Sequence, residues 1–159
     1  MAISSPDKGE DLGPVLSSSK DEGDLPARES NGVLQLTIGL RLVPSGCVTS
    51  ASGFLAGAVR AGIKSKGELD LAILCSEVPC TAAGVFTTNQ IKSAPIILSQ
   101  RHIAKGRGQA EVVNSGCANA CTGEQGLADA QEMAQLTAAK LGISPEEVLV
   151  ASTGVIGVP

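Results

Sequence analysis

The stretch Val113-Asn114-Ser115-Gly116-Cys117-Ala118-Asn119-Ala120-Cys121-Thr122-Gly123 decides how the rest of this chain is read. An apolar segment, Ala110 to Asn114, has the composition of a buried strand. It runs into small residues and amides, and then into the start of a helix at Glu124. From Glu124 to Leu141, the residues Leu127, Ala130, Met133, Ala134, Thr137 and Leu141 recur at helical spacing and form one face. Gly142 ends this helix, and Lys140 complements the negative end of its dipole. Thr122 and Gly123 therefore sit where backbone N–H groups lack helical partners and point outward at the positive end of a helix. Donors preorganised in this way can hold a developing oxyanion, an effect of about 3 kcal/mol in acyl transfer. The same position also suits a plain N-cap, in which the Thr122 hydroxyl closes the first turn.

A second run of small residues, Ala151-Ser152-Thr153-Gly154-Val155-Ile156-Gly157, follows another apolar segment, Val148 to Ala151. Ligands of α/β proteins gather at such strand ends. Thr153 is thus a candidate for substrate contact, or an ordinary Thr in a Gly turn. Between the two runs, Ser144-Pro145-Glu146-Glu147 has the order of an N-cap, a first-turn Pro and first-turn acids of a short helix.

Upstream, Gly53 to Val59 and Asp70 to Cys75 read as strands. Thr81 to Thr87 is expected to be a neighbouring strand, joined by a turn containing Pro79. Pro95 to Ser99 is expected to be a further strand. His102 falls in an exposed strand-to-loop region, and Lys105 to Gly108 in a flexible loop. Strands joined by turns, then strand–helix–strand, imply a mixed α/β (α+β) architecture.

The 159 residues suffice for one ordinary domain. Its core must be unusual, because aromatic residues make up 1% of the chain, Phe54 and Phe86 alone. Small and aliphatic side chains must fill the interior by close backbone approach. Aromatic platforms for single-stranded nucleic acid are absent. The whole net charge of −4 resides in residues 1–32, which hold seven acids and three bases and no apolar periodicity. Composition makes this segment a disordered acidic tail. Residues 33–159, starting with a weak strand over Val33 to Ile38, are charge-balanced, which argues against a nucleic-acid or membrane surface. Five Cys, an odd number, and no secretory signal argue for free thiols in a cytoplasmic protein. With one His and no Cys-x-x-Cys pair, no metal site is expected.

Together the two small-residue runs resemble the ornithine acetyltransferase family, also called glutamate N-acetyltransferase. Asn114 to Gly123 is similar to that family's Asn-(Ala/Ser)-Gly-Asn-Ala-Asn-Ala-Cys-Thr-Gly motif, and Ala151 to Gly157 to its Ala-Ser-Thr-Gly-Val-Ile-Gly. Further blocks match in order: Ala82 to Asn89, Gly126 to Ala130 and Pro145 to Val148. The match runs from about Gly46 to Pro159. It implies the strand-rich N-terminal portion of a self-processing, N-terminal-nucleophile-like fold. It implies an oxyanion hole formed by the Thr122 hydroxyl and the Gly123 N–H, and substrate contact by Thr153. Cys117 departs from the motif, standing where the family has Asn and exchanging an amide for a weakly bonding thiol. The family's nucleophilic Thr lies in a Lys-Gly-x-x-Met…Ala-Thr-Met-Leu segment that residues 1–159 do not contain.

The resemblance implies acetyl transfer from N-acetylornithine to glutamate through an acyl-Thr intermediate, with acetyl-CoA as a further donor in some members. No cofactor or metal is implied. The implied partner is the C-terminal portion, a β chain pairing with an α chain in a hetero-oligomer. Without it, residues 33–159 read as an incomplete domain, inactive alone. The alternatives are a non-catalytic amino-acid-binding or structural domain on the same scaffold, and a related self-processing amidase or peptidase.

Overall fold

The computed structural model describes residues 44–158. The acidic tail expected over 1–32 and the strand expected over 33–38 lie outside the described residues. The architecture is mixed α/β. In chain order it comprises β1 (Phe54–Val59), β2 (Leu71–Thr81), α1 (Ala94–Ile103), β3 (Arg107–Cys117), α2 (Gly123–Leu141), a single 3-10 turn (Pro145–Glu147) and β4 (Val148–Val155). The sheet order is β1-β2-β3-β4. The first three strands are antiparallel neighbours, and β4 pairs parallel to β3. The α2 crossover is what a parallel β3–β4 pair requires.

Strand alternation places Leu71, Ile73, Ala110, Val112, Val148 and Val150 on one face, and the helices cover it. From α2 come Ala130, Ala134 and Ala138, each 1% exposed or less. Their spacing of four keeps them on one stripe, and their small size brings helix and sheet backbones together. This is how the chain packs a core without aromatic rings. The helix ends at Gly142, whose φ of 69° is left-handed, with the Ile143 N–H bonded to the Ala138 carbonyl at 3.1 Å. Ser144 does not cap the 3-10 turn with its side chain; its hydroxyl bonds the Glu146 carboxylate instead.

Three expectations are corrected. Pro95 to Ser99 is not a strand but the body of α1. A five-residue apolar run carries no clear period, and Pro near the helix start favours helical entry. Ala94, Pro95, Leu98 and Ser99 bury a helical face. Thr81 to Thr87 is not a strand either. β2 itself continues through Pro79 to Thr81, and residues 82–89 are irregular. The β2–β3 register shifts between Cys75 and Cys80, and such a bulge tolerates a Pro without an N–H. Lastly, His102 is not in a strand-to-loop region but in the last turn of α1. It is half-buried, with Nδ1 donating to the Val148 carbonyl at 2.7 Å.

That last contact belongs to a larger device. β4 is an edge strand, and α1 covers its outer backbone groups. The Ser99 hydroxyl donates to the Val150 carbonyl at 2.8 Å and accepts the Val150 N–H at 2.9 Å. Both bonds are buried, so Ser99→Ala leaves two backbone groups unpaired. The expected loss is about 1–3 kcal/mol in urea unfolding; a loss below about 0.5 kcal/mol would show that water serves this edge.

Asp70, 2% exposed, organises the β1–β2 loop. Its carboxylate accepts the Ala61 N–H at 2.6 Å and the Lys64 N–H at 2.9 Å. These bonds, that from Lys64 foremost, hold the Asp70 carboxyl below its ordinary range against the opposing effect of burial. A lowered folded value means that the stabilisation is complete above the unfolded pKa and is lost as pH falls through the folded one. Asp70→Asn is therefore expected to lower stability at neutral pH and to flatten the acid limb of the stability–pH curve, as measured by urea melts from pH 7 downward.

Candidate functional site

The two small-residue runs are register partners. Asn114 pairs with Ser152, Ser115 with Thr153, Gly116 with Gly154 and Cys117 with Val155. A Cβ on Gly154 would lie 2.2 Å from the Gly116 carbonyl carbon, and one on Gly116 would lie 2.7 Å from Ile63 Cγ2. Both glycines have positive φ, 129° and 138°. Only residues without a side chain permit strands this close. Beyond the strands, the Ala118 N–H bonds the Val155 carbonyl at 2.9 Å, and the Gly157 N–H bonds the Ala120 carbonyl at 2.8 Å. Cys117, the departure from the motif, donates its thiol to the Val158 carbonyl at 3.0 Å. The loop after β3 is thus tied to the segment after β4.

The loop then turns through three left-handed residues, Asn119 (φ 46°), Cys121 (φ 59°) and Gly123 (φ 64°), before α2 begins. Non-glycine residues in this region store backbone strain and require surrounding support. Asn119 supplies that support. It is 6% exposed. Its carbonyl accepts the Ala94 N–H at the start of α1, at 3.1 Å. Its side-chain Nδ2 donates to the Gly126 carbonyl at 2.7 Å, and its Oδ1 accepts the Thr122 hydroxyl at 2.6 Å.

Thr122 occupies the N-cap position of α2, yet its side chain does not cap the helix. Its single hydroxyl hydrogen goes to Asn119. Gly123, next along, is exposed, and a Cβ there would meet nothing within 4 Å. Its N–H lies in the first turn of a 19-residue helix, where backbone donors are unpaired and the dipole is positive. Thr153 lies on β4 beside Ser115 and is exposed. The β3–β4 pairing and the loop bonds beyond it tie the strand that carries Thr153 to the loop that leads to Thr122 and Gly123.

Asn119 and Gly126 were not legible as functional from their residue types. The signal lies in their spacing: Asn119, Thr122 and Gly126 fall three and four residues apart across a helix start. A Cβ at position 126 would lie 1.9 Å from Thr122 Oγ1 and 2.2 Å from Asn119 Oδ1. Beneath the loop, between the sheet and α2, a cavity of about 450 Å³ is lined by residues that include Asn114, Cys117, Asn119 and Ser152. Among the described residues, no group of three or more His, Cys, Asp or Glu is placed to hold a metal ion, and all five cysteines are free. No helix of the described residues is long and apolar enough to cross a membrane.

The ArgJ family model matches residues 55–159, more than half of the chain and all of the site just described. The chain belongs to the ArgJ family. Among its relatives, the arginine biosynthesis bifunctional protein ArgJ of Dehalococcoides mccartyi is 55% identical over 118 residues, covering 73% of this chain and 29% of that protein. That of Symbiobacterium thermophilum is 56% identical over 117 residues, covering 72% and 29%. Two crystal structures share the fold. The ArgJ protein of Bacillus halodurans has a TM-score of 0.69 at 46% identity, covering 71% of this chain and 59% of that one. The ornithine acetyltransferase of Mycobacterium tuberculosis, solved in complex with ornithine, has a TM-score of 0.72 at 47% identity, covering 74% and 64%. The chain thus spans less than a third of the length of these curated ArgJ relatives, and the match holds the resemblance read from the motifs.

Gly126→Ala is expected to displace the Asn119–Thr122 pair while leaving the far end of α2 intact. Amide NMR should show large shifts confined to residues 117–127. A spectrum unchanged at Asn119 and Thr122 would mean that the pair does not depend on the missing Cβ.

Proposed function

We propose that this chain contributes the oxyanion-binding half of an acetyl-transfer site, within a glutamate N-acetyltransferase of arginine biosynthesis. The observation that carries this reading is the exposed Gly123 N–H beside the Thr122 hydroxyl at the positive end of α2, held by a loop pinned on both sides.

In this reading a threonine hydroxyl outside residues 1–159 attacks the acetyl carbonyl of N-acetylornithine. The carbonyl π electrons move onto oxygen, and that oxyanion accepts hydrogen bonds from the Gly123 N–H and the Thr122 hydroxyl. Collapse breaks the C–N bond, and ornithine leaves as its amine takes up a proton. The amine of glutamate then attacks the acyl-Thr ester. A second oxyanion forms at the same position, and N-acetylglutamate departs as the threonine regains its proton. Acetyl-CoA can replace N-acetylornithine as donor, with a thiol leaving in place of an amine. No cofactor takes part. Thr153 holds substrate polar groups. The nucleophile comes from a C-terminal β chain that associates with this α portion, and the assembly works in the cytoplasm.

The two donors differ in readiness. The Gly123 N–H is fixed by backbone geometry. The Thr122 hydrogen is committed to Asn119 and must rotate away to reach the oxyanion. Asn119 cannot turn over to free it, because that would set its Oδ1 against the Gly126 carbonyl. The Thr122 contribution is therefore smaller than that of a free hydroxyl by the strength of one hydrogen bond.

The test is to supply the chain with the segment that bears the nucleophile and to assay acetyl transfer from N-acetylornithine to glutamate. Thr122→Val is expected to lower kcat by about 10–10²-fold, less than the loss of an uncommitted oxyanion donor, with little change in KM. An unchanged kcat would remove Thr122 from the oxyanion hole. Absence of N-acetylornithine-dependent acetylation in the assembled wild type would overturn the reading as a whole.

A further inference from the structure

Asp70 is joined to three parts of the molecule at once. Its N–H bonds the Val59 carbonyl at the end of β1, at 3.1 Å. Its carbonyl accepts the Ser115 N–H of β3 at 2.8 Å, one residue before Gly116. Any residue could make these two bonds, because both are made by the backbone. The third connection needs a carboxylate. Oδ1 accepts the Ala61 N–H and Oδ2 the Lys64 N–H, so one acceptor serves each of two donors in the β1–β2 loop.

Ile63 lies between the two anchored positions. Its Cγ2 stands 2.7 Å from where a Cβ on Gly116 would be, with Lys64 Cγ at 3.4 Å and the Ile63 carbonyl carbon at 3.6 Å. The loop thus fills the space that a side chain at position 116 would take. Gly154 approaches the same residue from β4. Gly116 is therefore hemmed in by the neighbouring strand and by the loop. Core packing does not hold Ile63 there, since the residue is 42% exposed. Gly62, with φ 84°, gives the loop freedom to leave this conformation. The bonds to Asp70 on either side of Ile63 are what oppose that.

Two residues past Gly116, the Ala118 N–H ties the chain to the Val155 carbonyl, and the turn to Thr122 and Gly123 follows. Oxyanion donors act through being placed before the charge develops, so a small displacement of their support costs rate. We infer that Asp70 is a positioning residue for acetyl transfer: its carboxylate seats Ile63 on Gly116 and so fixes the end of β3 from which the Thr122–Gly123 loop departs. Asp70 itself touches no reacting atom. The effect on rate rests on the acetyl-transfer reading; the seating of the loop does not.

The experiment uses Asp70→Asn, Ile63→Ala and the double variant, each assembled with the segment that bears the nucleophile and assayed at a temperature at which its melt shows it folded. Asp70→Asn keeps the size of the side chain and sets an amide donor against one of the two N–H groups. It is expected to lower kcat by about tenfold with KM unchanged, part of what a misplacement of about 1 Å costs. Ile63→Ala should also lower kcat, and the double variant should be no slower than Asp70→Asn alone, because the two act through one contact. Lys66→Ala, elsewhere on the loop, should leave kcat unchanged. An unchanged kcat in either single variant, a loss confined to KM, or effects that multiply in the double variant would overturn the inference. Amide NMR of the chain of residues 1–159 separates this outcome from failure of the acetyl-transfer reading. The Thr122 and Gly123 signals should move in Asp70→Asn and in Ile63→Ala, and not in Lys66→Ala. An inactive assembled wild type would remove the reaction and leave those shifts to decide the seating; signals that stay in place would overturn it.

Discussion

The structure depends on one close approach, that of β3 and β4 at Gly116 and Gly154. A Cβ on Gly154 would stand 2.2 Å from the Gly116 carbonyl carbon, closer than any side chain can come. Because both positions are glycine, the parallel ladder runs on to Cys117 and Val155 and then passes into the loop bonds at Ala118 and Gly157. Those bonds close a short ring of backbone between residues 118–120 and 155–157. The left-handed turns at Asn119, Cys121 and Gly123 and the start of α2 follow directly on that ring.

Beside the ring, one hydroxyl hydrogen sets the balance between order and chemistry. A threonine has a single O–H to give, and Thr122 gives it to Asn119. This bond stabilises a loop that carries strained residues. In the proposed acetyl transfer it also removes the hydroxyl from immediate use as a donor to the oxyanion. The Gly123 N–H faces no such conflict, since backbone geometry and the helix dipole orient it without a competing partner. Gly126 makes the arrangement sterically possible, because Asn119 Oδ1 and Thr122 Oγ1 fill the space that its side chain would occupy.

The near absence of aromatic residues becomes intelligible in the same terms. The alanine stripe of α2 lets helix and sheet approach closely, so many small contacts replace a few large ones. The exposed edge of β4 is closed by side chains of α1 and not by another strand: Ser99 serves both polar groups of Val150, and His102 serves the carbonyl of Val148. An unpaired edge is a site for unwanted pairing, and covering it with a helix removes that hazard.

By itself the sequence determined the elements whose signals are local and long: α2 from its repeating apolar face, β3 and β4 from apolar runs, and the stop at Gly142. It also determined the mixed α/β class, and through its motifs pointed to Thr122, Gly123 and Thr153. It did not determine α1, because Pro95 to Ser99 is too short to show a period. Nor did it show that β2 continues through Pro79, because a bulge exists only relative to the strand beside it. Only the tertiary structure decided that Asn114 faces Ser152, 38 residues later in a parallel register, and that Asn119 takes the hydrogen of Thr122. Side-chain periodicity is a property of one segment and is written in its residues. Which polar atoms meet across a sheet, and which are left without a partner, depends on register and backbone separation, and these exist only once the segments have packed.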